Sequence, residues 1–151
     1  MGRVTATATE TVWVDRSPEA VFDYTQDYAT RTDWDPTVMS AKVLSEEPLR
    51  VQAVMRGIGP LVIEYKLYRR GERTSAAFSN VNSTLVSGGG GSWSYVAREG
   101  GTDWTQTATL EFRHLVVGWL LRPLLRRDMS TLMRKSMAAA KRIMESQAIP
   151  K

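Results

Sequence analysis

From about Val38 to Arg113 apolar residues alternate with polar ones, and after that the period changes for good. Leu121, Leu125, Met129, Leu132, Ser136, Ala140 and Ile143 follow at spacings of 4, 4, 3, 4, 4 and 3. Alternation puts every second side chain on one face of a strand, whereas the later spacing puts them on one face of a helix. Many strands facing one long amphipathic helix make an α+β architecture in which a curved sheet grips the helix, with room for a ligand between them. The pattern describes a container more than its contents.

The elements can be placed from local signals. Residues 4–14 (VTATATETVWV) are β-branched and alternate, as in a strand. Ser17-Pro18-Glu19 combines an N-cap, a proline at the first helical position and an early acid, so a short helix follows through Ala20–Tyr24. A second turn covers Ala29–Asp33 and ends at Trp34-Asp35-Pro36, because a residue before proline is pushed out of the helical region. Strands are then expected at Val38–Glu46, Leu49–Gly57, Leu61–Arg70, Thr74–Val81, Ser92–Glu99 and Thr102–Arg113, the last two joined through Gly100-Gly101. The run Gly88–Gly91 reads as a native glycine-rich strand entry that permits a bend. Pro123 fits a first turn better than a helix interior, so a short turn at Leu115–Leu121 and a main helix at Arg122–Ser146 are expected.

Composition excludes several kinds of chemistry. At 151 residues the chain suits one domain, 1–151, with a real core. With no cysteine there are no disulfides, thiolate metal sites or thiol nucleophiles, and a single histidine, His114, rules out a His-pair metal site. No metal or bound cofactor is expected. The N-terminus lacks a signal pattern and no apolar run spans a bilayer, so the expectation is a cytoplasmic protein. Residues 113–142 carry a charge of +7 against +4 for the whole chain. The plain reading is the solvated back of an amphipathic helix. A sharper one is weak contact with an anionic membrane through Arg122, Arg126 and Arg127, beside Trp119, Leu120, Leu121, Leu124 and Leu125. Nucleic acid is not expected, because aromatics do not interleave with the basic run.

Val12-Trp13-Val14, then Ser17-Pro18-Glu19-Ala20-Val21-Phe22-Asp23-Tyr24, then Trp34-Asp35-Pro36, then Gly101-Thr102, and then Leu120-Leu121-Arg122-Pro123-Leu124-Leu125-Arg126-Arg127 occur in an order and spacing that covers nearly the whole chain. The chain thereby resembles the START/SRPBCC superfamily with its helix-grip fold, and within it the polyketide cyclase/dehydrase-like branch. The resemblance implies a cavity under the long helix. The superfamily shares no common catalytic motif, so no catalytic residue is carried over.

The faces of the strands supply the candidate lining. Trp34, Tyr65, Phe78, Trp93, Tyr95, Trp104 and Phe112, with Met129, Leu132, Met133 and Met137 from the helix, fall on inward faces. Tryptophan and tyrosine offer rigid surfaces with a polar handle, and methionine adapts its shape. Asn80 and Gln106 are amides on otherwise apolar faces and need partners, internal or from a ligand. Glu10 interrupts the inner face of the first strand, where a bulge turning it outward is the simpler expectation. Tyr65, Gln106 and His114 are the lesser catalytic candidates. Three readings stay open: binding or transport of a hydrophobic small molecule or lipid, a cyclase/dehydrase acting on a polyketide-like substrate, and an interaction module using the basic helix, as a monomer or homodimer.

Overall fold

A computed structural model describes residues 4–56, 58–79, 83 and 85–147. Seven strands form one antiparallel sheet: β1 (Thr5–Val14), β2 (Val38–Glu46), β3 (Leu49–Met55), β4 (Gly59–Arg69), β5 (Arg73–Ser79), β6 (Val86–Arg98) and β7 (Gly101–Phe112). Two helices, α1 (Pro18–Gln26) and α2 (Tyr28–Trp34), lie between β1 and β2, and α3 (Leu115–Ser146) follows β7. The strand order is β1-β7-β6-β5-β4-β3-β2. Hairpins therefore run in succession from β2 to β7, and β1 completes the sheet beyond β7. This is the helix-grip α+β fold that the change of period calls for.

Local chemistry sets the boundaries. Ser17 accepts a hydrogen bond from the Ala20 amide at 3.2 Å with Pro18 in the first turn, and Asp27 caps α2 through the Ala29 amide at 2.9 Å. On β1 and β7 the solvent face is a ladder of threonine hydroxyls, with Thr7–Thr109 at 3.0 Å, Thr9–Thr107 at 3.1 Å and Thr11–Thr105 at 2.8 Å. The opposite face carries Ala6, Ala8, Val14, Trp104 and Phe112, all buried. Alternation thus separates a polar outer face from the core, which lies between the sheet and the three helices.

Three expectations change. The glycine run is not merely a strand entry, because β6 begins at Val86 and takes in Gly88–Gly91. A side chain there is excluded by close approach of the neighbouring strands: a Cβ on Gly90 would lie 2.7 Å from the Ala76 carbonyl oxygen. Glu10 is not turned outward by a bulge. The β1–β7 register runs unbroken from Thr5 to Val14, and Glu10 keeps its place on the helix side by pairing with Arg134 of α3 at 3.2 Å. The third change is in α3, a continuous helix of 32 residues with Pro123 inside it. Proline removes one amide donor, which leaves the Trp119 carbonyl without its helical partner. Pro123 and Trp119 are both exposed, so water can take that carbonyl's bond.

α3 packs along β1, with Arg134 on Glu10, and is anchored near both of its ends. Near its start, Gly118 is buried so tightly over Phe112 that a Cβ would lie 2.5 Å from the Phe112 Cβ. Near its end, Met137, Ala140 and Met144 are buried in the core. There Arg16 donates from Nη2 to the carbonyls of Glu145 (2.9 Å) and Gln147 (3.0 Å), and Lys141 donates to the Trp13 carbonyl at 2.7 Å. A cation on the last carbonyls also suits the negative end of the helix dipole. The buried stripe is not quite the one read from spacing. Leu132 is 43% exposed, and Met133 and Met137 take the inward positions.

An exposed proline inside a helix is a removable cost. Pro123→Ala is expected to add about 2 kcal/mol, below the full interior penalty because water already solvates the freed carbonyl. The melting temperature should rise by roughly 4–8 °C. An unchanged or lower Tm would show that the sheet requires the path α3 takes at Pro123.

Candidate functional site

Between the anchored ends of α3 the helix and sheet enclose a cavity of about 350 Å³. The helix supplies Leu125, Met129, Met133 and Ser136 to its wall. The strands supply Ile63, Phe78, Trp93, Ala108 and Leu110. Gly90 and Gly91 also border it, and Gly91, two residues before Trp93 on the same strand face, has no side chain with which to fill it. Exposed Arg56, Asp128 and Leu132 mark the rim. At about 30 Å³ each, this space holds roughly a dozen non-hydrogen atoms, within the usual range for small-molecule pockets. A shallower groove of about 420 Å³ lies between β1 and α3, edged by Thr7, Thr9, Arg126 and Arg127. It is an open surface feature without enclosing apolar walls, so the enclosed cavity is the candidate site.

One wall of the cavity is polar. Arg31, on α2, is only 4% exposed and lines it. The helix spacing that buries Trp34 buries Arg31 as well, three residues earlier on the same face. The guanidinium carbon lies 4.9 Å from the Tyr28 ring centre, 5.1 Å from Trp34 and 6.0 Å from Trp93, an aromatic cage that suits a cation. Its nearest carboxylate oxygen is Asp35 Oδ2, 3.6 Å from Nη1. Asp35 Oδ1 meanwhile accepts from the Thr37 amide (3.0 Å) and hydroxyl (2.6 Å). Burial works against the charged guanidinium, but Tyr28, Tyr65, Asp35 and Tyr95 outweigh it and hold its pKa above the ordinary value. Arg31 Nε and Nη2, Trp93 Nε1 and Gln106 Oε1 are all buried without a hydrogen-bond partner.

Beside this wall runs a chain of hydrogen bonds: Tyr28–Tyr65 (2.5 Å), Tyr65–Gln26 (3.4 Å), Gln26–Tyr95 (2.7 Å) and Tyr95–Thr25 (2.7 Å). The Thr25 hydroxyl donates to the Val21 carbonyl at 2.8 Å. A carbonyl can only accept, and each hydroxyl has one proton to give, which orients the whole chain. Tyr95 donates to Thr25, Gln26 to Tyr95, Tyr65 to Gln26, and Tyr28 to Tyr65. Every proton points away from the cavity and the chain ends on backbone, so its role is to fix α1 and α2 against β4 and β6. Burial raises Tyr95, against its hydrogen bonds with Gln26 and Thr25, to about 12, and burial raises Tyr65 well above its usual value.

Of the sequence candidates, Phe78, Trp93, Gln106, Met129, Leu132 and Met133 line the cavity. Trp34, Tyr65, Tyr95, Trp104, Phe112 and Met137 are buried but are not among the lining residues. Trp34 and Trp104 pack edge to face at 5.5 Å and fill the space between α2 and β7. The thin stretch around Ser136–Ala140 brings α3 down onto the sheet at Met137, which closes the cavity there. Asn80 lies outside the described residues. His114 is exposed at the N-cap position of α3, away from the cavity lining. Arg31 was missed by sequence reasoning, since a lone arginine in a short polar helix looks solvated. Its one available signal was its position three residues before the buried Trp34. Among the described residues no group of three or more His, Asp and Glu side chains is placed to hold a metal ion.

Tyr95→Phe should leave the Gln26 amide and Thr25 without their shared partner, at about 1–3 kcal/mol, and lower the Tm. Because folding raises the Tyr95 pKa from 10.0 to about 12, the unfolded chain loses this proton first as pH rises. The stabilisation is complete below pH 10 and is lost between about pH 10 and 12. Denaturant titrations should show a shallower alkaline decline in the variant than in the parent. Equal slopes would remove Tyr95 from that account.

Comparisons with known proteins agree with this geometry. No curated protein matches the chain. Among solved structures, a protein of Thermus thermophilus superposes with a TM-score of 0.79 at 17% identity, covering 95% of this chain and 99% of that one. The Zhui aromatase/cyclase of a Streptomyces species gives 0.75 at 16%, covering 95% and 97%. Ara h 8.0201 gives 0.72 at 11%, covering 95% and 99%. At such identities the likeness is one of fold. The sequence model of one family, described as polyketide cyclase / dehydrase and lipid transport, matches residues 5–145, and the chain belongs to that family, of the SRPBCC type.

Proposed function

We propose that this chain, acting as one domain over 1–151, binds and carries a hydrophobic small molecule or lipid in the cavity under α3. The observation that carries this reading is the enclosed 350 Å³ space walled mainly by Met129, Met133, Phe78, Trp93 and Leu110. Emptying such a space of water and filling it with hydrocarbon yields roughly 25 cal/mol per Å² of apolar surface covered. A family whose description includes lipid transport supports the same reading.

The second reading is a cyclase or dehydrase acting on a polyketide-like substrate, and the convergence of Arg31, Trp93 and Gln106 on one wall favours it. Of the three candidate residues for chemistry, Gln106 alone touches the cavity. The Tyr65 proton is engaged with Gln26, and His114 sits on the surface. The lining carboxylates are Asp128 at the exposed rim and Asp35, whose Oδ1 is engaged by Thr37, so the wall is better suited to holding a ligand than to moving its protons.

Loading at an anionic bilayer is supported by the start of α3. Trp119, Leu120 and Leu124 are 64%, 63% and 57% exposed, so they do not pack inward as a merely solvated amphipathic helix would require. Arg122, Arg126 and Arg127 are exposed beside them. Apolar bulk next to cations is the combination that binds anionic membrane surfaces, at about 1 kcal/mol per nearby basic charge. No helix among the described residues is long and apolar enough to cross a membrane.

Native mass spectrometry of freshly purified protein is expected to show a copurified small molecule. Met133→Trp, which fills the cavity, should abolish that adduct with little change in Tm, since filling a void escapes the overpacking cost of about 1–3 kcal/mol. A marked fall in Tm would place Met133 in a filled core and count against the carrier reading. In vesicle cosedimentation the protein should need anionic lipid, lose binding with salt, and weaken when Arg122, Arg126 and Arg127 become alanine. Equal recovery from neutral and anionic vesicles would count against the membrane step.

A further inference from the structure

Apart from Arg56 and Asp128 at its exposed rim, the cavity is mainly apolar with a buried cation on one wall, and the state of that cation narrows what the cavity can hold. A guanidinium has two edges. Nη1 and Nη2 form one, and Nε with Nη2 forms the other, where two parallel N–H groups match the two oxygens of a carboxylate. In Arg31 the aromatic rings of Tyr28, Trp34 and Trp93 occupy positions around the guanidinium. Asp35 approaches Nη1 without reaching hydrogen-bond distance. The atoms left without partners are Nε and Nη2, which together are one complete fork. The cage holds the cation in place without using these donors.

A third orphaned donor, Trp93 Nε1, belongs to a ring of the same cage, and the unpartnered Gln106 Oε1 sits on the residue paired with Trp93 across β6 and β7. Buried donors left without partners destabilise the fold, and more so when they are charged. A fold that carries several of them on one wall of a mainly apolar cavity is incomplete without an oxygen-rich occupant. Both Arg31 nitrogens are closed to solvent. The Tyr28 and Trp93 rings that lie against the guanidinium are side chains lining the cavity, and rotamer changes of such side chains are common on binding.

Resting on the reading that the cavity binds a hydrophobic ligand, we propose that this ligand is a carboxylate amphiphile of about a dozen non-hydrogen atoms, a count set by the cavity volume, with its carboxylate on the Nε–Nη2 edge of Arg31 and its hydrocarbon beneath Met129 and Met133. The carboxylate satisfies the fork bidentately. The chain replaces no polar contact, because the remaining wall has few to offer. An uncharged alcohol of equal length fills the same space and leaves the fork unmet. An amine meets the guanidinium with like charge.

Isothermal titration calorimetry with sodium decanoate, 1-decanol and decylamine tests this at neutral pH, on the parent protein and on Arg31→Met and Asp35→Asn. Decanoate should bind the parent at least tenfold more tightly than decanol, and decylamine should bind weakest. Arg31→Met should cut decanoate affinity by tenfold or more and leave decanol affinity unchanged or higher. Asp35→Asn keeps an acceptor for Thr37 but removes the competing negative charge, so decanoate should tighten several-fold while decanol does not change. This variant decides the matter even if Arg31→Met fails to fold. Equal binding of decanoate and decanol by the parent, or an Asp35→Asn variant that does not distinguish them, overturns the carboxylate assignment and leaves the hydrophobic-cavity reading intact. Binding of none of the three probes overturns both.

Discussion

α3 lies along β1, where Arg134 pairs with Glu10, is fastened near both ends, and leaves a cavity between itself and strands β4–β7. At one end a glycine lets the helix backbone descend onto Phe112. At the other, small and flexible residues bury against the core while Arg16 and Lys141 fasten the last turns to the end of β1. A helix of 32 residues is about 48 Å long and stiff over that distance, so it cannot sag into the space between its supports. Below it, β6 passes Gly91 under the helix with no side chain to fill the space. The void follows from a stiff helix over a strand position that lacks a side chain.

An unfilled void of that size would ordinarily be a defect, since uncompensated cavities cost stability in proportion to their volume. Here the cost is compounded by a buried cation with an unused fork of donors. The surrounding structure makes no attempt to relieve it. The hydroxyl chain from Tyr28 to Val21 passes within reach of the cage, yet all its protons are directed into the protein. The arginine is therefore held by aromatic rings and one distant carboxylate, an arrangement that restricts its position and leaves its hydrogen-bonding capacity open. Physical economy of this kind is better explained by an occupant than by packing.

The two polar features of α3 divide along its length. In the C-terminal half, Arg134, Lys141 and Glu145 engage β1, the residue that follows it, or each other. The N-terminal half leaves its arginines and its largest apolar residues in water. The same half borders the cavity at Leu125 and its rim at Asp128, so that the least covered part of the surface adjoins the entrance to the least filled part of the interior.

Amino-acid order alone determined the elements, their succession and the family resemblance. Caps such as Ser17 and Asp27, the Gly100-Gly101 hairpin and the two hydrophobic periods act over a few residues, and such local preferences can be read from sequence. The same periods placed Trp93, Phe78, Gln106 and Met133 on inward faces, but they could not separate the residues that border the void from those that fill the core. Trp34 and Trp104 were as apolar and as periodic as Trp93, and only their edge-to-face packing across α2 and β7 took them out of the wall. Pro123 looked like a helix start because the penalty of an interior proline is local, whereas its tolerance depends on which side of the helix faces water. Glu10 looked misplaced because Arg134, its partner, lies 124 residues away. Arg31 was invisible for the same reason. Whether a charge is solvated or caged depends on the rings and strands that fold around it, and those contacts exist only in three dimensions.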